Sequence, residues 1–182
     1  VAKVSTMIDE LEQLRGHWFV AAEAKLLTRR PLGVVILGTP LVLYRAQGSI
    51  VAAEDRCPHR NAPLSLGRIE AGRLRCPYHG WCFDSDGRCV EAPGVADGEL
   101  PQVGLRRWLA EEQDGLIWVA TLSKSEERPL YQAKIDRSAY QGFTMAAELE
   151  ADFADALENL LDGTHTSFVH AGLVRREGAK QH

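Results

Sequence analysis

Two short pairs, Cys57-Pro58-His59 and Cys76-Pro77-Tyr78-His79, constrain this chain more than any other feature of it. Residues 60 to 75 lie between them, and each pair occupies a Pro- and Gly-marked stretch where a loop is expected. Two such loops, brought together, supply two thiolates and two imidazoles. That set holds a 2Fe-2S cluster with two Cys on one iron and two His on the other. Cys57 and Cys76 are assigned to the inner iron, and His59 and His79 to the outer one. Neutral imidazole in place of thiolate reduces the negative charge around the iron pair, raises the reduction potential and suits the centre to one-electron transfer. The ring nitrogen left free on each His can bind a proton or face an acceptor.

The flanking residues fit a clamp. Pro58 and Pro77 stiffen the loops, Gly80 permits close backbone approach, Trp81 and Phe83 can shield the site, and Gly67 and Gly72 mark turns between the loops. A structural zinc site is the rival for such ligands, but zinc pairs usually have two or more residues between them, and Cys57 and His59 have one. Cys82 and Cys89 read as ordinary buried strand cysteines, and Trp18, Trp108 and Trp118 as core.

The chain around this clamp reads as β structure. From Trp18 to about Leu122, short apolar runs (residues 33–37, 41–44, 50–53 and 116–120) alternate with turn chemistry at Gly38-Thr39-Pro40 and Gln47-Gly48-Ser49. This predicts an antiparallel β domain over 17–122. Before it, Met7, Ile8, Leu11 and Leu14 have the period of a short amphipathic helix within 1–16. Residues 123–145, with Pro129, read as a linker or domain edge. Residues 146–161 are rich in Ala, Glu and Leu and predict a helix that loosens at Gly163, opening a second domain over 146–182.

With 182 residues, 45% of them hydrophobic and 25% charged, the chain can bury a sizeable core. A formal charge of -4 with scattered Lys and Arg excludes the electrostatic footprint of a nucleic-acid binder. The early residues mix in charge too often for a signal peptide, and the longest apolar stretch, 33–43, is too short to span a bilayer. A cytoplasmic protein without a membrane partner is expected. The chain starts at Val1 rather than Met and stops soon after a motif-rich segment, so a fragment is expected.

That segment is a second constellation. Residues 158 to 170 place Asn159, Asp162, His165 and His170 close together, and two His with a carboxylate form the facial triad of oxygen-activating ferrous enzymes. On a regular helix Asn159, Asp162 and His165 share a side, whereas His165 and His170 differ by roughly 140°. A bend is therefore expected, with Gly163 and the Thr164 and Thr166 pair as its place.

The run from Cys57 to Ser65 and the run from Cys76 to Trp81 resemble the Rieske domain of aromatic-ring-hydroxylating oxygenases and O-demethylases, across roughly residues 15 to 122. Asn159-x-x-Asp162-x-x-His165-x-x-x-x-His170 resembles the iron motif of the same family. The resemblance implies an all-β Rieske domain, a sandwich with a cluster-binding subdomain, followed by the start of an α+β helix-grip catalytic domain. It implies that His165 and His170 bind Fe(II), and that Asp162 links this site to a Rieske His of a neighbouring subunit in a head-to-tail ring, commonly a homotrimer. Asn159 takes a supporting place. A reductase or ferredoxin would supply electrons for O2-dependent hydroxylation or demethylation of a small organic substrate. The family completes its triad with a downstream Asp. Here only Glu177 follows His170, and it reads as a solvated charge. The alternative is a Rieske ferredoxin-like electron carrier with no substrate of its own.

Overall fold

The computed structural model describes residues 17–96, 99–121, 147–165 and 169–170. The expected N-terminal helix over 1–16, the linker over 123–145 and Glu177 lie outside these residues. The chain divides into two compact units, Val1–Ala133 and Lys134–His182.

Among the described residues, the first unit holds ten strands in two antiparallel sheets. The larger sheet has the order β1-β10-β9-β4-β3-β2, formed by β1 (Phe19–Glu23), β2 (Leu32–Ile36), β3 (Thr39–Ala46), β4 (Ser49–Glu54), β9 (Arg107–Gln113) and β10 (Leu116–Ala120). The smaller sheet runs in sequence order through β5 (Arg68–Glu70), β6 (Arg73–Arg75), β7 (Cys82–Phe83) and β8 (Cys89–Glu91). β4 pairs directly with β9, Ala52 opposite Trp108 and Ala53 opposite Arg107. The chain between them therefore leaves the large sheet and returns to the same place, and the whole cluster clamp is an insertion between two neighbouring strands.

The apolar run in β3 follows from burial on both faces, the condition under which a strand loses polar alternation. Val42, Tyr44 and Ala46 of β3, with Val51 and Ala53 of β4, pack with Cys57, Leu64, Leu74, Cys76, Trp81 and Phe83 of the insertion. On the opposite face Leu41, Leu43 and Ala52 pack with Ala24, Leu27, Trp108, Ile117 and Val119. One core thus carries the clamp and the other closes the large sheet on itself. Trp108 is buried, while Trp18 and Trp118 are only half-buried.

The expected strands at 33–37, 41–44, 50–53 and 116–120 all occur, with one shift at a turn. The β2–β3 reversal is made by Leu37 and Gly38, both at positive φ, and not by Gly38-Thr39-Pro40. Thr39 and Pro40 already belong to β3, where Pro40 opposes Val35 of the edge strand. Two central residues at positive φ match the right-handed twist of the strands that they join.

In the second unit the helix α1 spans Phe153–Leu161, shorter than the 146–161 expected. Asp152 is extended and occupies the N-cap without a capping bond from its side chain, and 147–152 lie outside the helix.

Candidate metal centre

The two Cys loops are folded by the same pair of backbone bonds. In the first, Cys57 N–H donates to Ala62 O (2.9 Å) and Asn61 N–H donates to Cys57 O (2.8 Å). In the second, Cys76 N–H donates to Trp81 O (2.8 Å) and Gly80 N–H donates to Cys76 O (3.2 Å). The equivalent residues Asn61 and Gly80 are both at positive φ, which closes each loop within one turn. An arginine just before each Cys braces the far end of its loop. Arg56 Nε donates to Asn61 Oδ1 (2.6 Å), and Arg75 Nη1 donates to Gly80 O (2.8 Å).

Further bonds tie the loops to the sheets. Asp55 accepts from Ser65 N–H (2.7 Å) and from Ser65 Oγ (2.5 Å), drawing the two ends of the first loop together. Asp55 N–H donates to Pro40 O and Glu54 N–H to Arg106 O, anchoring that loop to the large sheet. The second loop emerges from β6 and re-enters through β7, which pair as Arg75 with Cys82.

The side chains meet in two layers. Cys57 and Cys76 are inside, 1% and 2% exposed, and their thiols interact. Burial pushes the Cys57 thiol up to about 11, with the neighbouring Cys76 adding to the rise and backbone N–H groups of His59 and Arg60 opposing it. Further out, His59 and His79 lie edge-on with ring centroids 4.7 Å apart. Trp81 stacks flat on His59 at 4.4 Å, and Tyr78 lies against His79 at 3.9 Å. His59 is half-buried, while His79 and Tyr78 are exposed. Burial of the His59 ring, then the neighbouring His79 and Arg60, hold it below the usual imidazole range and so neutral near pH 7.

A 2Fe-2S group fits this arrangement. Nδ1 of His59 is buried without a hydrogen-bond partner, a costly state for a ring nitrogen unless a metal takes it. Two adjacent buried thiols, also costly to ionise, become thiolates when iron displaces their protons. Among the described residues no three His, Cys, Asp or Glu side chains converge on one metal-ion position. The four Cys and His side chains instead form an inner thiol pair and an outer imidazole pair. Cys82 and Cys89 are buried in β7 and β8 with thiols pushed up by burial, as plain strand cysteines would be.

In the second unit the helix stops before the expected ligand face is complete. Asp162 is extended, and its Oδ1 accepts from both the amide (2.8 Å) and the hydroxyl of Thr164. This turn, at the expected bend, replaces the helix that would have set Asp162 and His165 on one side. Asp162 Oδ2 lies 3.6 Å from His165 Nδ1, beyond hydrogen-bond reach, and Nδ1 is buried and unpartnered. The bonds from Thr164, then His165, hold the Asp162 carboxyl below its ordinary value. Val169 N–H donates to His165 O, and the His165 and His170 rings come within 5.5 Å at 71°. Two imidazoles converge there; Asn159 is exposed on α1.

Sequence reasoning missed Asp55, Ser65, Arg56, Arg75 and the Trp81 stack on His59. A signal was present for the arginines, because Arg-Cys-Pro occurs at both 56–58 and 75–77.

A β insertion that presents two buried thiols beneath two imidazoles defines a Rieske-type iron–sulfur protein, and residues 17–108 match the family described as the Rieske 2Fe-2S domain. The chain belongs to that family. Its relatives include the oxygenase component of dicamba O-demethylase from Stenotrophomonas maltophilia, 37% identical over 86% of this chain and 48% of the relative. Methylxanthine N1-demethylase NdmA from Pseudomonas putida is 34% identical over 91% of this chain and 50% of its own length. A solved structure of an NdmA variant with theobromine aligns over 92% of this chain and 53% of its own, at 32% identity and a TM-score of 0.77. The chain spans about half the length of these curated relatives. No described helix is long and apolar enough to cross a membrane.

Proposed function

We propose that the protein is part of a Rieske oxygenase subunit that takes electrons from a reductase or ferredoxin through its 2Fe-2S cluster to a mononuclear ferrous site for O2-dependent hydroxylation or O-demethylation of a small, aromatic organic substrate. The observation that carries this reading is the coexistence of the buried thiol pair under His59 and His79 with the paired imidazoles of His165 and His170. Cys57, Cys76, His59 and His79 hold the cluster, and His165 and His170 hold the ferrous ion. When bound, the cluster supplies one-electron transfer and the ferrous ion supplies dioxygen activation.

The chain's own residues do the rest. Trp81 and Phe83 keep water from the thiol pair, while His79 and Tyr78 face outward, where a redox partner can approach. With Nδ1 of His59 turned inward as a ligand, Nε2 is the atom left to gain or lose a proton. Thr164 holds Asp162 ionised beside His165, ready to bridge to a Rieske His of a neighbouring subunit in a head-to-tail homotrimer. A carrier without a substrate has no use for that second cluster of side chains.

Anaerobic iron and acid-labile sulfide analysis, with electron paramagnetic resonance of the reduced protein, tests the reading. Two iron and two sulfide per chain with a low-average-g signal are expected, together with a third iron lost in His165→Ala. Zinc, or no metal, at the Cys–His loops refutes it. Two iron and two sulfide with no third iron in the wild-type chain would leave an electron carrier.

A further inference from the structure

The side chain of Arg75 is 16% exposed, and its guanidinium serves four acceptor atoms at once. Nε donates to Glu70 Oε2 (2.5 Å), Nη1 to Glu91 Oε1 (2.8 Å) and to Gly80 O (2.8 Å), and Nη2 to Glu91 Oε2 (2.7 Å). The Gly80 carbonyl lies in the peptide that joins the His79 side of the loop to Trp81, and Arg75 itself directly precedes Cys76. The fork–fork pair with Glu91 fixes the guanidinium in one orientation, which a lone surface ion pair would not do. Arg75 therefore ties β6, β8 and the second loop into one rigid unit.

Arg75 and Arg68 pair with Glu70 and Glu91, and Arg73 lies near enough to act on Glu91 as well. Reducing the cluster adds negative charge to this neighbourhood, so a fixed cation favours the reduced state and an unpaired carboxylate opposes it. We propose that Arg75 is a positioning residue for the second loop and that its charge, set against Glu91, tunes the reduction potential of the cluster. This rests on the cluster reading given above.

The test is a potentiometric titration, followed by electron paramagnetic resonance, on the iron-loaded chain and its Arg75→Gln, Arg75→Lys and Glu91→Gln variants. Arg75→Gln removes one positive charge, takes this partner from Glu70 and Glu91, and shifts the midpoint down. Glu91→Gln leaves a cation in excess and shifts it up. Arg75→Lys keeps the charge but loses the fork, so its midpoint stays nearer wild type while its signal broadens. Shifts of opposite sign support the proposal, since a loosened fold alone would move both variants the same way. Should Arg75→Gln fail to fold, Glu91→Gln alone decides, because that side chain is 47% exposed and its loss is tolerable. A wild-type cluster with unmoved or same-signed midpoints overturns the role of Arg75 and leaves the cluster reading intact; a wild-type chain without the cluster takes down both.

Discussion

Replacing Gly67 by alanine places a methyl group where two backbone carbonyls already are. The new Cβ would lie 2.2 Å from Arg75 O and 2.9 Å from Leu64 O. Neither obstacle is a flexible side-chain end. Arg75 belongs to β6, where it opposes Arg68 of β5, and it leads directly into Cys76. Restoring ordinary contact requires a displacement of about 1 Å, which pulls β5 from β6 and also strains the Gly67 N–H bond to Leu64 O. Overpacking costs about 1–3 kcal/mol, and the upper end applies where the obstacle is backbone. At about 4 °C per kcal/mol for a domain of this size, the melting midpoint should fall by roughly 10–15 °C. Gly38→Ala is the control: at φ 72° it carries a backbone cost that Gly67, at φ -82°, does not, but its Cβ meets nothing within 4 Å, so its cost is about 1–2 kcal/mol. Circular dichroism melts of the iron-loaded variants measure both. If Gly67→Ala melts no lower than Gly38→Ala, the close approach between the two loops is wrong.

Three further outcomes follow from the same geometry. Phe83→Ala removes a fully buried ring from the core that carries both thiols, and chemical denaturation should show a loss of about 3–5 kcal/mol; a loss under about 1 kcal/mol would deny that this core supports the clamp. Glu70 and Glu91 are held below the ordinary carboxylate range by hydrogen bonds from arginines, Arg68 then Arg75 on Glu70 and Arg75 on Glu91. Depressed carboxylates add stability above their ordinary value and lose it as pH falls through the lowered one, so stability should drop through that acidic window, and Glu91→Gln should flatten the drop. Thr164→Val removes a hydroxyl bond to Asp162 while keeping the amide bond, so the carboxyl should titrate higher by NMR; an unmoved Asp162 would show that the hydroxyl does not hold it.

Local chemistry was legible from residue order. The ligand spacing at 57–59 and 76–79, the turn at Gln47-Gly48 and the apolar runs of β2, β3, β4 and β10 each depend on residues close in the chain, where sterics and periodicity act directly. The bend after α1 was legible for the same reason, because Asp162, Gly163 and Thr164 make their own turn. The short strands β5 to β8 had no such signature. They are two or three residues long, too short to show an apolar period, and β5, β6 and β8 also carry Arg or Glu.

The sequence by itself thus determined which atoms could hold iron and that the domain around them is β. Only the tertiary structure decided that the clamp is an insertion between paired strands β4 and β9, that both loops close by the same two bonds, and that Arg75 joins Glu70, Glu91 and the Gly80 carbonyl. Such contacts join residues far apart in the chain. Their partners are selected by sheet pairing and by two cores that bury β3 on both faces, and a window of neighbouring residues carries no record of that selection.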